Sequence, residues 1–212
     1  FHMRNIIRKN LIFDGLIYLQ ITRGVAKRDF KFPKNLNSTI TIIGNNIPSE
    51  EYDKAFEKGI HVVTTKDLRW KRVDIKSLNL LAPVLAKQFA NENNAQEAWL
   101  IDDNGFITEG SSSNAWVLIG KTLLTRPVSS SILNGITRKT LMKGLKKYGY
   151  SFKEKKFNMY DIKKSKEAYI TSATQYVMPV VKINNKKIGD GKVGKFAKIF
   201  KEIYLESVQL KS

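Results

Sequence analysis

Apolar and polar positions alternate over two early stretches of the chain. "DGLIYLQITRG" places apolar side chains at Leu16, Ile17 or Tyr18, and Leu19 between Gly15 and Gly24, which predicts a strand. "STITIIGNN" has three isoleucines in four positions ahead of a Gly-Asn-Asn turn and predicts a second. A polar loop, "RDFKFPKNLN" with Pro33, lies between them. The segment "NNIPSEEYDKAFEKG", with its proline, run of acids and closing glycine, reads as a linker. The expected organisation is a small N-terminal region over 1–48, a linker over 49–55 and a larger region over 56–212.

The larger region opens on two strand-like runs, "HVVTT" and "LRWKRVD". Apolar residues at 78, 81, 85 and 89 then repeat at helical spacing, and Pro83 is tolerated only in a helix's first turn. That helix is expected to begin near Asn79 or Leu80, leaving Lys76 in a strand-to-helix turn, where functional groups commonly sit. "EAWLI", the Asn104-Gly105 turn, "FITEG", "NAWVLI" and "TLLT" predict a meander. A helix "GITRKTLMKGLKKYG" stopped by Gly149, the strand "EAYIT", the "TSAT" turn, the strand "YVMPVVKI", the loop "GDGKVG" and a last amphipathic helix ending near Gln209 complete the pattern. The expected fold class is α/β, of the α+β kind, with mostly antiparallel strands and helices.

Composition narrows the functions open to such a fold. The 212 residues, 42% hydrophobic and 26% charged, suit a packed protein of one or two domains. No apolar run approaches the ~20 residues that span a bilayer, and no secretory segment opens the chain, so a cytoplasmic protein with no membrane role is expected. The opening "FHM" is unlike a natural start, and native sequence is expected to begin at Met3. Without cysteine there is no disulfide, thiolate metal site or cysteine nucleophile. Two histidines leave little material for a metal site or a serine–histidine triad, and His61 in "GIHVVTT" reads as structural. A net charge of +18 invites nucleic acid, but the lysines are spread along the chain with no interleaved aromatic motif, so no specific nucleic-acid partner is expected.

Three weak signals remain: Lys76 in "DIKSLN", Glu109 in "TEGSSSN" before Ser111, Ser112, Ser113 and Asn114, and Gly135, Ile136 and Thr137 in "GITR". Separately they are a solvated lysine, a surface turn and an ordinary helix start. Together they suit pyridoxal-phosphate chemistry, which uses a lysine for a Schiff base, an acid for the pyridine nitrogen and a helix N-terminus for a phosphate. In order and separation, "RWKRVDIKSLNLLAPVLAKQ", "ITEGSSSNAWVL", "LLTRP" and "ILNGITRK" resemble the class IV (fold type IV) pyridoxal-phosphate aminotransferases. "IYLQITRGVAKRDFKFP" is similar to the substrate-loop segment of the family's D-amino-acid branch.

That resemblance implies a remnant of a small domain followed by a complete cofactor domain, with amino acids and 2-oxo acids as substrates. Lys76 would carry the cofactor and move the substrate's proton, and Glu109 would face the ring nitrogen, flanked by Ser111 to Asn114. Gly135, Ile136 and Thr137 would seat the phosphate through N–H groups and the Thr137 hydroxyl, joined by Ser172 and Ala173 from the "TSAT" turn. Arg28 would reach across a homodimer interface to the substrate carboxylate. The chain departs from the family at Phe30, where the D-amino-acid enzymes have a histidine, and at Ala173, where a hydroxyl is usual. Family members also begin some seventy residues earlier by this resemblance. Branched-chain aminotransferase, aminodeoxychorismate lyase and a truncated, catalytically silent dimer stay open as alternatives, because the shared motifs hold the cofactor and do not choose the substrate.

Overall fold

A computed structural model describes residues 1–208, so the helix end expected near Gln209 lies outside the described residues. The chain divides into two compact units, Phe1–Asp53 and a second that starts at Lys54. In the first, helix α1 (His2–Lys9) packs on a two-stranded antiparallel sheet of β1 (Gly15–Thr22) and β2 (Thr39–Asn46). The register sets Leu19 against Ile42 and Ile21 against Ile40, so both strands fall where the alternation placed them. The sequence reading did not anticipate α1.

Helix α2 (Ser49–Lys58) occupies the segment expected to be a linker, and the boundary between the units falls inside it. Pro48 precedes its first residue, Glu50 and Glu51 sit in its first turn and Lys58 in its last. These charges complement the helix dipole, so the acids that suggest a linker are a helix start. Gly59, at φ +68°, takes the left-handed turn that ends the helix.

The second unit continues with β3 (Ile60–Lys66), α3 (Leu81–Glu92), β4 (Glu97–Ile101), β5 (Ile107–Gly110), β6 (Asn114–Ile119) and β7 (Thr122–Thr125). Then come α4 (Ile136–Lys147), β8 (Phe152–Glu154), α5 (Met159–Lys163), β9 (Glu167–Ser172), β10 (Tyr176–Ile183), β11 (Lys186–Lys187) and α6 (Lys195–Val208). The strands form one mixed sheet in the order β5-β4-β3-β10-β9-β6-β7-β8, with β11 on β10. Antiparallel ladders dominate, as expected, but β3–β4, β3–β10 and β7–β8 run parallel. The β3–α3–β4 crossover allows the first of these, since parallel neighbours need a long return connection. Pro179 is tolerated within β10 because the β3 ladder begins only at Val180.

Strands β4 and β6 are buried along almost their whole length, so they read as continuous apolar runs rather than alternations. Trp99, Trp116, Tyr169, Phe157 and Phe200 form much of the core, and Ala86 and Ala90 of α3 pack against Ala98 and Leu100. Removing such buried aromatics from water stabilises by roughly 2–3 kcal/mol each.

Two expectations need correction. "LRWKRVD" is not a strand: residues 67–80 form a loop. Its polar–apolar alternation reflects ion pairs two residues apart, Asp67 with Arg69 and Arg72 with Asp74, which satisfy the chain locally in place of a ladder. The continuous meander is two hairpins, because β6 ladders onto β9 and β7 while β5 ladders onto β4. A tight turn at 110–113, closed by Gly110 N–H to the Ser113 carbonyl at 2.7 Å, redirects the chain between them.

Candidate active site

Glu109 lies on β5, whose four residues are all buried. Three groups donate to its carboxyl: Arg69 Nη1 at 2.5 Å, Asn114 Nδ2 at 2.7 Å, and the Leu133 N–H at 3.1 Å from both oxygens. Arg69 also grips Asp67 with Nε at 2.9 Å and Nη2 at 2.8 Å, and Thr108 Oγ1 donates to Asp67 at 2.7 Å. The result is a buried acid–arginine–acid chain that ties the start of the 67–80 loop to β5.

Burial pushes the Glu109 carboxyl up to about 7, against the downward pull of Arg69 and the Leu133 N–H, and Asp67 adds to the rise. Burial also works to raise Asp67, but its bonds to Arg69 outweigh that and hold it below the ordinary carboxylate range. Two acids sharing one guanidinium make Glu109 the group that meets the surplus negative charge. Sequence reasoning missed Arg69 and Asp67. Their signal was a closely spaced acid–base pair in "KDLR", seven residues before Lys76, inside a run mistaken for a strand.

The serine run is spent on another carboxyl. Glu97, fully buried at the head of β4, accepts from the hydroxyls of Ser111, Ser112 at 3.2 Å and Ser113 at 2.9 Å, and from the Ser111 N–H at 3.2 Å. Gly110 makes this possible, because a Cβ there would collide with Ser113 Oγ. Glu97 thus fixes the turn that joins Glu109 to Asn114, and its only trace in the sequence is a charge at a strand start.

Helix α4 begins after Gly135, and its first N–H groups, at Ile136 and Thr137, have no partner within the helix. Thr137 is buried, and its hydroxyl donates to the Ser172 carbonyl at 3.0 Å. That bond brings the "GITR" and "TSAT" segments together. It also revises the expectation for Thr137: its hydroxyl proton is committed to the protein, leaving its N–H as the donor. Ser172 Oγ accepts from the Gln175 N–H, which leaves its own proton free, and Ala173 in the following turn is exposed. Asn114 bridges the two ends, since its second amide hydrogen goes to the Leu133 carbonyl at 2.8 Å.

Lys76 is exposed in the 67–80 loop, and among the described residues its amine makes no hydrogen bond or ion pair. Only the first half of that loop is anchored, by Arg69 and by Val73 N–H to the Ser130 carbonyl at 3.0 Å. Arg28 and Phe30 belong to the first unit, in an exposed loop, with the Arg28 guanidinium 5.2 Å from the Phe30 ring centre. Among the described residues no helix is long and apolar enough to cross a membrane.

The fold that carries these residues is shared with known proteins. The family described as amino-transferase class IV matches residues 2–183, and the chain belongs to it. A D-alanine aminotransferase of Staphylococcus aureus (strain N315) is 40% identical over 208 residues, spanning 96% of this chain and 73% of that protein. Among solved structures, a branched-chain amino acid aminotransferase of Escherichia coli shares the fold at a TM-score of 0.83 and 24% identity, over 96% of this chain and 68% of that one. A Legionella pneumophila protein provisionally named a 4-amino-4-deoxychorismate lyase shares it at a TM-score of 0.82 and 20% identity, over 97% and 75% of the two chains.

Proposed function

We propose that this chain is a pyridoxal-phosphate-dependent aminotransferase that exchanges an amino group between a D-amino acid and a 2-oxo acid. The buried Glu109 carboxyl, clasped by Arg69, Asn114 and the Leu133 N–H, carries this reading. The donor set fits the cofactor: a buried acceptor suits a protonated pyridine nitrogen, and unpaired N–H groups at a helix start suit a phosphate. The match to D-alanine aminotransferases selects the D-amino-acid branch.

When bound, pyridoxal phosphate supplies an electron sink for the bond broken at the substrate's Cα. Lys76 would hold the cofactor through its amine and, once that amine is free, would serve as the base that moves the substrate's Cα proton. Glu109 would accept from the cofactor's protonated ring nitrogen, whose positive charge would favour the ionised form of the carboxyl. The N–H groups of Ile136 and Thr137 would bind the phosphate, with the Ser172 hydroxyl as a further donor. Ser111, Ser112 and Ser113, gathered on Glu97, hold the turn between Glu109 and Asn114. Arg28 binds the substrate carboxylate as a planar fork, supplied by the second copy of a homodimer. The outer face of α3 supports that assembly, since Leu81, Val84, Leu85 and Phe89 are all between 41% and 70% exposed.

Borohydride reduction of the cofactor-loaded protein tests the site. Pyridoxyl is expected on the peptide containing Lys76, and label mainly on another lysine refutes the assignment. A panel of D- and L-amino acids then tests the substrate: turnover confined to branched-chain L-amino acids would overturn the D-amino-acid reading.

A further inference from the structure

We propose that Asn114 is a positioning residue that couples the Glu109 carboxyl to the start of α4, so that the proton-holding and phosphate-holding ends of the site move as one. The inference rests on the function proposed above and adds a role that a cofactor contact would not have. Asn114 Nδ2 carries two hydrogens, and both are committed, one to Glu109 Oε2 at 2.7 Å and one to the Leu133 carbonyl at 2.8 Å. Its Oδ1 lies against Gly135, where a Cβ would collide with it. The side chain is 5% exposed, so water does not compete for these contacts.

Leu133 closes the circuit. Its N–H donates to both Glu109 oxygens while its carbonyl accepts from Asn114, so Glu109, Asn114 and Leu133 form a ring of hydrogen bonds. Two residues on, Gly135 is the N-cap of α4. A displacement of the carboxyl is therefore passed through one planar amide to the backbone that presents the Ile136 and Thr137 N–H groups. The charged groups facing Glu109 are Arg69 and, through it, Asp67; Arg69 also donates to the Ser131 carbonyl at 3.2 Å, ahead of the ring, but bonds neither Asn114 nor Leu133. Alongside the direct Leu133 N–H bonds to Glu109, Asn114 is the side chain that touches the carboxyl, the Leu133 carbonyl and Gly135 together.

The test uses the full chain without cofactor. Asn114→Ala removes both donors, and Asn114→Asp keeps the shape while exchanging donors for acceptors, so a folding failure of one leaves the other. Two quantities are read: the titration of Glu109 by carboxyl carbon NMR, and the affinity for inorganic phosphate. Loss of one charge-assisted donor should raise the Glu109 titration by about one pH unit. Release of Gly135 should weaken phosphate binding about tenfold, while circular dichroism stays unchanged. A shift in Glu109 with phosphate affinity intact refutes the coupling, and so does an unmoved titration in a folded variant. Borohydride labelling of the parent at Lys76 reports on the underlying function independently, so failure of the two readings can be told apart.

Discussion

Glu109→Gln tests the electrostatics of the site without any reaction. In the folded chain the carboxyl is raised from 4.5 to about 7, chiefly because burial penalises its charged form. The folded state therefore holds this proton more tightly than the unfolded state does. The stabilisation is fully present below about pH 4.5 and is lost as pH rises through about 7. Over that whole window the loss amounts to about 3 kcal/mol, of which about 2.5 kcal/mol falls between pH 5 and pH 8. Glutamine keeps the shape and cannot titrate. It also sets an amide nitrogen against Asn114 Nδ2 or Arg69, a penalty that does not vary with pH. Urea unfolding of parent and variant at pH 5 and pH 8 isolates the titrating part as a difference of differences. The parent should lose about 2.5 kcal/mol more than Glu109→Gln between the two pH values. Parallel losses would show that the carboxyl is not raised by burial, and the charge account of the site would fail with it.

Arg69→Met leaves Asp67 and Glu109 buried without their shared cation, so a loss of about 3–5 kcal/mol is expected, larger at pH 8 than at pH 5. Thermal melts at both values check this, and an equal loss at both would refute it. Gly135→Ala drives a Cβ into Asn114 Oδ1 and should destabilise by about 1–3 kcal/mol while weakening pyridoxal phosphate binding, read by absorbance titration. Unaltered affinity would remove Gly135 from the phosphate seat. Leu85→Glu places a charge on the outer face of α3 and should convert a dimer to monomers in sedimentation at micromolar concentration. An unchanged mass would move the interface elsewhere.

Much of this was legible because the sequence patterns were local. The strand at 15–22 followed from alternation, and α4 followed from a glycine start and the Gly149 stop. Glu109 stood out only in combination with Lys76 and "GITR", and the role expected of it came from the family resemblance. What stayed hidden depended on distance along the chain. Arg69 is forty residues from Glu109, and Glu97 is fourteen to sixteen from the serines it gathers, so neither partnership leaves a spacing that a reader could recognise. The helix α5 was missed for a different reason. Its capping box, Asn158 with Asp161, was present in the sequence, but only five residues follow Asn158 in the helix, too few for periodicity to register.

The uneven anchoring of the 67–80 loop has a dynamic consequence. Residues 67–73 are moored by the guanidinium of Arg69 and by Val73, whereas the stretch carrying Lys76 rests on short-range contacts such as Asn79 N–H to Ser77 Oγ. Backbone so held opens at little free energy, and its amides should exchange with solvent far faster than those of 69–73. Lys76 is in effect a hand on a short tether, with its pivot fixed beside Glu109. A group captured by that amine and seated elsewhere at its other end would draw the tether taut. Order would then arrive in this segment with the ligand rather than before it, and slowed exchange at residues 75–79 is how that arrival would be seen.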